Sequence, residues 1–139
     1  MLLFELSKDQ ARAFMRVVSE FISIDNKVKK EEKSIIDKYI SKLEVSKEEI
    51  DGLSHKEAME ILDKSEEKIK KMVYFELLGV ALIDGDYENS EVDFLEEVAE
   101  EFKISRSLKI ALANYYFDLD NMKDKPEEEK KEKLINILG

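Results

Sequence analysis

Three serine-led tetrads, SKDQ, SKEE and SHKE, constrain this chain more than any other feature, because each is a capping box. They begin at Ser7, Ser46 and Ser54. In a capping box the serine hydroxyl accepts the backbone N–H three residues later, and a Glu or Gln at that position reaches back to the serine N–H. Each tetrad therefore predicts the start of a helix, and Ser65 and Ser105 are further candidate N-caps.

Apolar residues recur three and four positions apart along most of the chain, which is the spacing of one helix face. Residues 72–83 are apolar nearly all round, so we expect this segment at the centre of the fold. Only 4 Gly and 1 Pro are present, which leaves little material for β-turns. The predicted fold class is all-α, a compact bundle of about seven or eight helices.

The chain also repeats itself at a fixed offset of 59 residues. Asp25 pairs with Asp84, and Glu32 pairs with Glu91, at this offset (84 − 25 and 91 − 32), and no gap is needed. Apolar positions follow the same register. The repeated unit is a long helix, an Asp-containing corner, a second helix and a serine-capped helix. The sequence thus predicts a bundle built from two related helical hairpins.

Four carboxylates crowd into the second corner of the repeat, at Asp84, Asp86, Glu88 and Glu91. Oxygen ligands of this kind suit Ca²⁺ or Mg²⁺, so these four residues are candidate metal ligands. A standard EF-hand loop does not fit. Counting from Asp84, the sixth position is Asn where the EF-hand needs Gly, and the twelfth is Leu where it needs Glu.

The first corner offers Asp25 and Glu32 as a second candidate pair. Lysines occupy positions 27 and 29, which match two of the acids in the second corner, and their charge disfavours a divalent cation. A structural role stays open for both corners, because an Asp can accept backbone N–H groups and Gly85 can reverse the chain. Catalysis by paired carboxylates is a third alternative, and it needs two acids facing each other across a cleft.

Composition disfavours several classes of function. The formal charge is −10, which repels nucleic-acid phosphates and anionic membrane surfaces. Cysteine is absent and His55 is the only histidine, so thiolate zinc sites and histidine metal clusters are excluded. The longest apolar run, 73–83, contains Glu76 and is far shorter than a membrane span. We expect a cytoplasmic protein that binds no nucleic acid and does not insert into membranes.

The motif Asp-Gly-x-(aromatic or aliphatic)-x-x-x-Glu-x-x-apolar-apolar, at residues 84–95, resembles the TerB-like domain of the tellurite-resistance TerB family. Residues 25–36 resemble a second copy, with Asn26 where Gly is usual. The family often has Ser or Thr three residues before the motif Glu, where this chain has Lys29 and Glu88. The likeness covers most of the chain, from Ser7 to Tyr116.

This resemblance implies one TerB-like helical domain over residues 1–139. The motif copies lie near 24–46 and 83–105, and 118–139 is a possible linker followed by a C-terminal helix. By position, the family's acidic residues fall on Asp25, Glu32, Asp84 and Glu91. The implied function is a non-enzymatic adaptor or scaffold in stress response and tellurite resistance. Its expected partners are proteins, including membrane-associated ones, and its candidate cofactor is a divalent cation.

Two other functions stay open at this point. A carboxylate-dependent hydrolase would need a deep pocket joining Asp25 and Asp84. A purely structural dimerisation module would expose a large apolar patch. The apolar residues of the last predicted helix can either dock on the bundle or engage a partner helix. They are Leu134, Ile135, Ile137 and Leu138.

Overall fold

The computed structural model describes residues 6–23, 30–82, 89–122 and 124–138. These parts of the chain form eight α-helices and one short 3₁₀ helix, Leu119–Met122, and contain no strand. The α-helices are α1 Lys8–Ile22, α2 Lys30–Leu43, α3 Lys47–Asp51, α4 His55–Asp63, α5 Glu67–Leu82, α6 Asn89–Glu101, α7 Arg106–Asp118 and α8 Glu127–Leu138. The predicted all-α bundle of seven or eight helices is confirmed. None of the described helices is long and apolar enough to cross a membrane.

Serine caps begin four of these helices, as the sequence predicts. Ser7, Ser46 and Ser54 each form a complete capping box. The hydroxyl of Ser105 accepts the backbone N–H of Leu108 at 3.1 Å. Because each cap satisfies N–H groups that have no partner inside the helix, the starts of α1, α3, α4 and α7 are determined locally.

Ser65 is not the N-cap that the sequence predicted. Its hydroxyl donates to the carbonyl oxygen of Ile61 at 3.0 Å and accepts from the Gln10 side-chain amide at 3.0 Å. It therefore ties the end of α4 to α1, and α5 begins only at Glu67. A serine beside a helix end can bond back into the preceding helix, and sequence spacing does not distinguish that case from a cap.

Helix α5 lies at the centre of the bundle, as predicted, and contacts α1, α4, α6, α7 and α8. Ten of its sixteen residues are buried, and they face several sides of the helix. All ten are apolar or aromatic except Glu76. Because each buried apolar side chain contributes roughly 1.5–3 kcal/mol relative to an exposed one, α5 is the main stabilising element of the core.

Helix α8 docks on the bundle through its apolar residues. Leu134 and Leu138 are buried, Ile137 packs against the core from its edge, and Ile135 is 39 % exposed. A hydrogen bond also joins α8 to α5, from the Lys71 ammonium to the carbonyl oxygen of Leu138 at 3.3 Å. The C-terminal helix therefore completes the core of this chain.

Two pairs of helices start at the offset of the sequence repeat. From Lys8 to Glu67, and from Lys30 to Asn89, the separation is 59 residues (67 − 8 and 89 − 30). The two residues with positive φ other than glycine, Glu44 at 55° and Lys103 at 56°, are separated by the same number. These coincidences agree with the repeat, while the equivalence of the two halves as packed hairpins stays a prediction.

Candidate functional site

The predicted corner carboxylates lie mostly outside the described residues. This applies to Asp25, Asp84, Asp86 and Glu88, and also to Gly85. A pocket joining Asp25 to Asp84, which the hydrolase alternative needs, falls outside them as well. The metal site predicted at these corners therefore stays a prediction.

The two remaining corner acids lie in the first turns of their helices. Glu32 is the third residue of α2, and Glu91 is the third residue of α6, where a negative charge favours the helix dipole. The Glu91 side chain is partly buried and already engaged in an interaction. Among the described residues, no group of three or more histidine, aspartate or glutamate side chains is arranged to hold a metal ion.

A different carboxylate stands out in the structure. Glu76 lies in the middle of the central helix α5 and is only 9 % exposed. The hydroxyl of Tyr39, a buried residue of α2, donates to Glu76 Oε2 at 2.7 Å. Removing a carboxylate from water costs several kcal/mol unless partners compensate, so this short hydrogen bond is a principal support of the charge.

Two further tyrosines surround the same helix. The Tyr116 hydroxyl donates to the carbonyl oxygen of Phe75 at 2.7 Å, and the Tyr115 hydroxyl donates to the carbonyl oxygen of Lys130 at 3.2 Å. The rings of Phe75 and Tyr116 stack with centroids 4.6 Å apart, and Tyr115 packs edge-on against both. These contacts hold three aromatic rings rigidly around one turn of α5.

Gly79 permits the close approach of Tyr116. A methyl group at position 79 would stand 2.8 Å from the Tyr116 Cζ atom, which is closer than carbon atoms pack. Glycine is therefore required here by contact with another helix, since the position lies within regular α-helix. Without this contact gap, Tyr116 could not reach the backbone of α5.

Burial shifts the acidity of every ionisable group in the cluster. Burial raises the pKa of Glu76, and the hydrogen bond from Tyr39 and the more distant charge of Lys42 oppose that rise. Burial also raises the pKa values of Tyr39 and Tyr116 well above the ordinary phenol range, and the charge of Glu76 adds to both shifts. The tyrosines therefore stay protonated and act as hydrogen-bond donors at neutral pH.

A cavity of about 570 Å³, here called the α8 cavity, opens between α5, α7 and α8 beside this cluster. Its wall is aromatic and aliphatic on the side of α5 and α7 and charged on the side of α8. The lining residues are Phe75, Glu76, Tyr115, Tyr116, Leu119, Glu127, Glu128, Lys130, Lys131 and Leu134. An apolar cavity with a few convergent polar groups and a carboxyl of shifted pKa is the usual form of a ligand site.

A larger groove, about 950 Å³, runs between the ends of α4, α6 and α8 and the start of α7. Its walls carry lysines and carboxylates together, including Lys70, Lys71 and Lys103 against Asp63, Glu67 and Glu101. Glu101 and Asp63 share a hydrogen bond that raises the pKa of Glu101. The mixed charge selects no class of ligand, so the α8 cavity is the stronger candidate.

Sequence reasoning noticed Glu76 only as an interruption of an apolar run. The useful signal was already present, because a lone acid within a segment that is apolar all round must be buried with it. Tyr39 is 37 positions away in the sequence. No spacing rule connects the two residues, and only tertiary packing brings them together.

Comparison with known proteins adds no relative, since no family profile, no curated protein and no solved structure matches this chain. The resemblance to the TerB-like domain therefore rests on the motif residues alone and enters the functional argument as a proposal.

Proposed function

We propose that this protein is a non-enzymatic cytoplasmic adaptor of the stress-response type that binds a small ligand in the α8 cavity. The observation that carries this proposal is the placement of Glu76, a nine-tenths buried carboxylate on the wall of an aromatic cavity. Burying a charge lowers stability, and such a cost is commonly kept where the charge serves a binding site.

The tyrosine hydroxyls favour binding over catalysis. Tyr39, Tyr115 and Tyr116 each donate to an acceptor within the protein. Burial raises the pKa values of all three, so none is poised to give up its proton near pH 7. A fixed set of donors around one acid orients a ligand without moving protons.

The position of α8 suits an adaptor. This helix forms one wall of the cavity and packs on the core mainly through Leu134 and Leu138, at the C-terminal end of the fold. A ligand between α8 and α5 would add contacts that hold α8 in place. Ligand binding would therefore be sensed at the surface of the domain, where a protein partner could respond.

A thermal-shift screen of the full-length protein tests the proposal. Short alkylamines, carboxylates and neutral alcohols are compared on wild type and on Leu119→Trp, in which the larger side chain occupies the cavity wall. We expect at least one class to raise the wild-type melting temperature through binding and to lose that effect in Leu119→Trp. The bound compound should be recovered chemically unchanged, as judged by its NMR spectrum.

Ile110→Trp is the matched control, because Ile110 is 51 % exposed on α7 and does not line the cavity. It should respond to ligands as wild type does. The proposal is contradicted if none of the three classes shifts the wild-type melting temperature, or if the shift persists in Leu119→Trp. Conversion of the compound would contradict the non-enzymatic part.

A further inference from the structure

The charge of Glu76 determines which ligand the α8 cavity can take. Within the described residues, this carboxylate forms no ion pair, and Tyr39 supplies a neutral hydrogen-bond donor. Lys42 acts on it only from the exposed face of α2. A buried anion with a neutral donor is stabilised further by any cation that reaches it.

The lining of the cavity favours an organic cation over a metal ion. Ca²⁺ takes six to eight oxygen ligands and Mg²⁺ takes six, whereas Phe75, Tyr115 and Tyr116 present aromatic carbon beside one buried carboxylate. Aromatic rings attract ammonium groups through their π-electrons. The leucines of the wall, Leu119 and Leu134, add surface on which an alkyl chain can pack.

The rim of the cavity carries additional negative charge. Glu127 and Glu128 lie in the first turn of α8, and the Lys130 ammonium is paired with Glu127 at 3.5 Å. The lining as a whole contains three carboxylates and two lysines. Together with the protein's formal charge of −10, this distribution attracts cations and repels anions as they approach.

We infer that the α8 cavity binds a linear alkylamine in its ammonium form, with the inner ammonium on Glu76 and, in a diamine, the outer ammonium near Glu127 and Glu128. The alkyl chain lies along the aromatic and leucine wall. This inference rests on the proposed ligand-binding function and specifies its chemistry.

Calorimetric titration in amine-free phosphate buffer tests the inference on the full-length protein. The probes are 1,4-diaminobutane, butylamine, 1,4-butanediol and butyrate, which share a carbon chain and differ in charge. We expect the diamine to bind more tightly than the monoamine, and the diol and the acid to show no binding. Glu76→Gln keeps the acceptor for Tyr39 and removes the charge, so both amines should lose at least about tenfold in affinity, or roughly 1.4 kcal/mol.

Two further variants separate the inner and outer contacts from general electrostatics. Glu128→Gln should weaken the diamine and leave butylamine unchanged. Glu100→Gln, an exposed position on α6 outside the cavity lining, changes the net charge equally and should leave both affinities unchanged. If Glu76→Gln does not fold, Leu119→Trp serves instead, and it should abolish amine binding.

The outcomes distinguish this inference from the proposed function. Binding of butyrate or butanediol in place of amines would overturn the inference and leave a ligand-binding cavity intact. Amine binding with equal affinity in wild type, Glu76→Gln and Leu119→Trp would show a nonspecific effect of net charge and overturn the inference. Failure of all four probes would also overturn it, and the broader screen would then decide the fate of the proposed function.

Discussion

At the scale of single residues, Glu76 and Gly79 are the positions where this chain departs from a simple apolar core. Glu76 introduces a carboxylate into the most buried helix, and Gly79 removes a side chain so that Tyr116 can reach the backbone of Phe75. Both features belong to one face of α5, and both serve the packing of tyrosines from neighbouring helices. Their energetic signatures are separable by mutation.

Glu76→Gln should stabilise the protein near pH 7. Burial raises the pKa of Glu76, so its contribution to stability is complete below the ordinary carboxyl pKa and is lost as pH rises through the raised value. Glutamine retains an acceptor for Tyr39 without the charge. We expect the free energy of unfolding to increase by on the order of 1 kcal/mol near pH 7, with a difference that shrinks in acid. Urea titrations at several pH values measure this.

Tyr39→Phe is the companion variant. It leaves Glu76 without its donor, so it should raise the pKa of Glu76 further and lower the free energy of unfolding near pH 7 by roughly 1–3 kcal/mol. The same substitution should cost less in the Glu76→Gln background. Equal costs in both backgrounds would show that the hydrogen bond does not support the charge.

Gly79→Ala should destabilise the protein although alanine favours helices. The added methyl group meets the ring of Tyr116, which is itself stacked on Phe75 and cannot withdraw freely. Overpacking of this kind costs roughly 1–3 kcal/mol, which exceeds the gain of about 1 kcal/mol in helix propensity. Thermal unfolding measures the change. Gly52→Ala, whose methyl group would stand 3.3 Å from the Glu48 carbonyl oxygen, should be much milder; an equal loss would contradict the clash.

At the scale of elements, helix ends are set by local hydrogen bonds that differ between the two termini. Serines begin four helices, whereas α6 ends in a Schellman motif with Lys103 at φ 56°. The N–H of Ile104 bonds to the carbonyl oxygen of Ala99, and that of Lys103 to the carbonyl oxygen of Glu100. Ile104 is buried just beyond the motif, so the helix end also anchors the following chain.

Lys103→Gly should stabilise the protein, because glycine adopts positive φ without steric cost. The expected gain in the free energy of unfolding is roughly 0.5–1 kcal/mol, after the greater freedom of glycine in the unfolded chain is subtracted. Denaturant titration measures it. Lys103→Ala is the control, since it removes the same charge and retains the strain. A gain in the alanine variant equal to that in glycine would assign the effect to charge.

At the scale of the whole molecule, the bundle combines two similar halves with two unmatched additions. Helices α1 and α2 match α5 and α6 at the 59-residue offset, while α4 and α8 have no counterpart at that offset. Helix α4 packs on α1, and α8 packs on α5 and α7. The α8 cavity therefore exists because of an element that lies outside the repeat.

The repeat also bears on the predicted metal site. If the second corner holds a cation, millimolar Ca²⁺ or Mg²⁺ should raise the melting temperature of the wild-type protein through binding. The double variant Asp84→Asn, Glu91→Gln should abolish this shift. Asp25→Asn should largely preserve it, because lysines surround the first corner. An unchanged melting temperature of the wild type in Ca²⁺, Mg²⁺ and Mn²⁺ would show that the corners bind no such ion.

The sequence by itself determined the helical class, the four serine-capped starts and the central position of α5. These features follow from groups within a few residues of one another, namely a hydroxyl beside free N–H groups and apolar side chains three or four positions apart. Short-range contacts of this kind form in any helical arrangement of the same segment, so they can be read before the fold is known.

Only the tertiary structure decided the role of Ser65, the partner of Glu76 and the existence of the α8 cavity. Each depends on residues far apart in sequence, such as Gln10 with Ser65 and Tyr39 with Glu76. Whether a buried carboxylate is tolerated depends on which donor the packing of another helix delivers to it, and sequence spacing carries no record of that geometry. The candidate site of this protein is a product of helix packing, whereas its helices are products of local sequence.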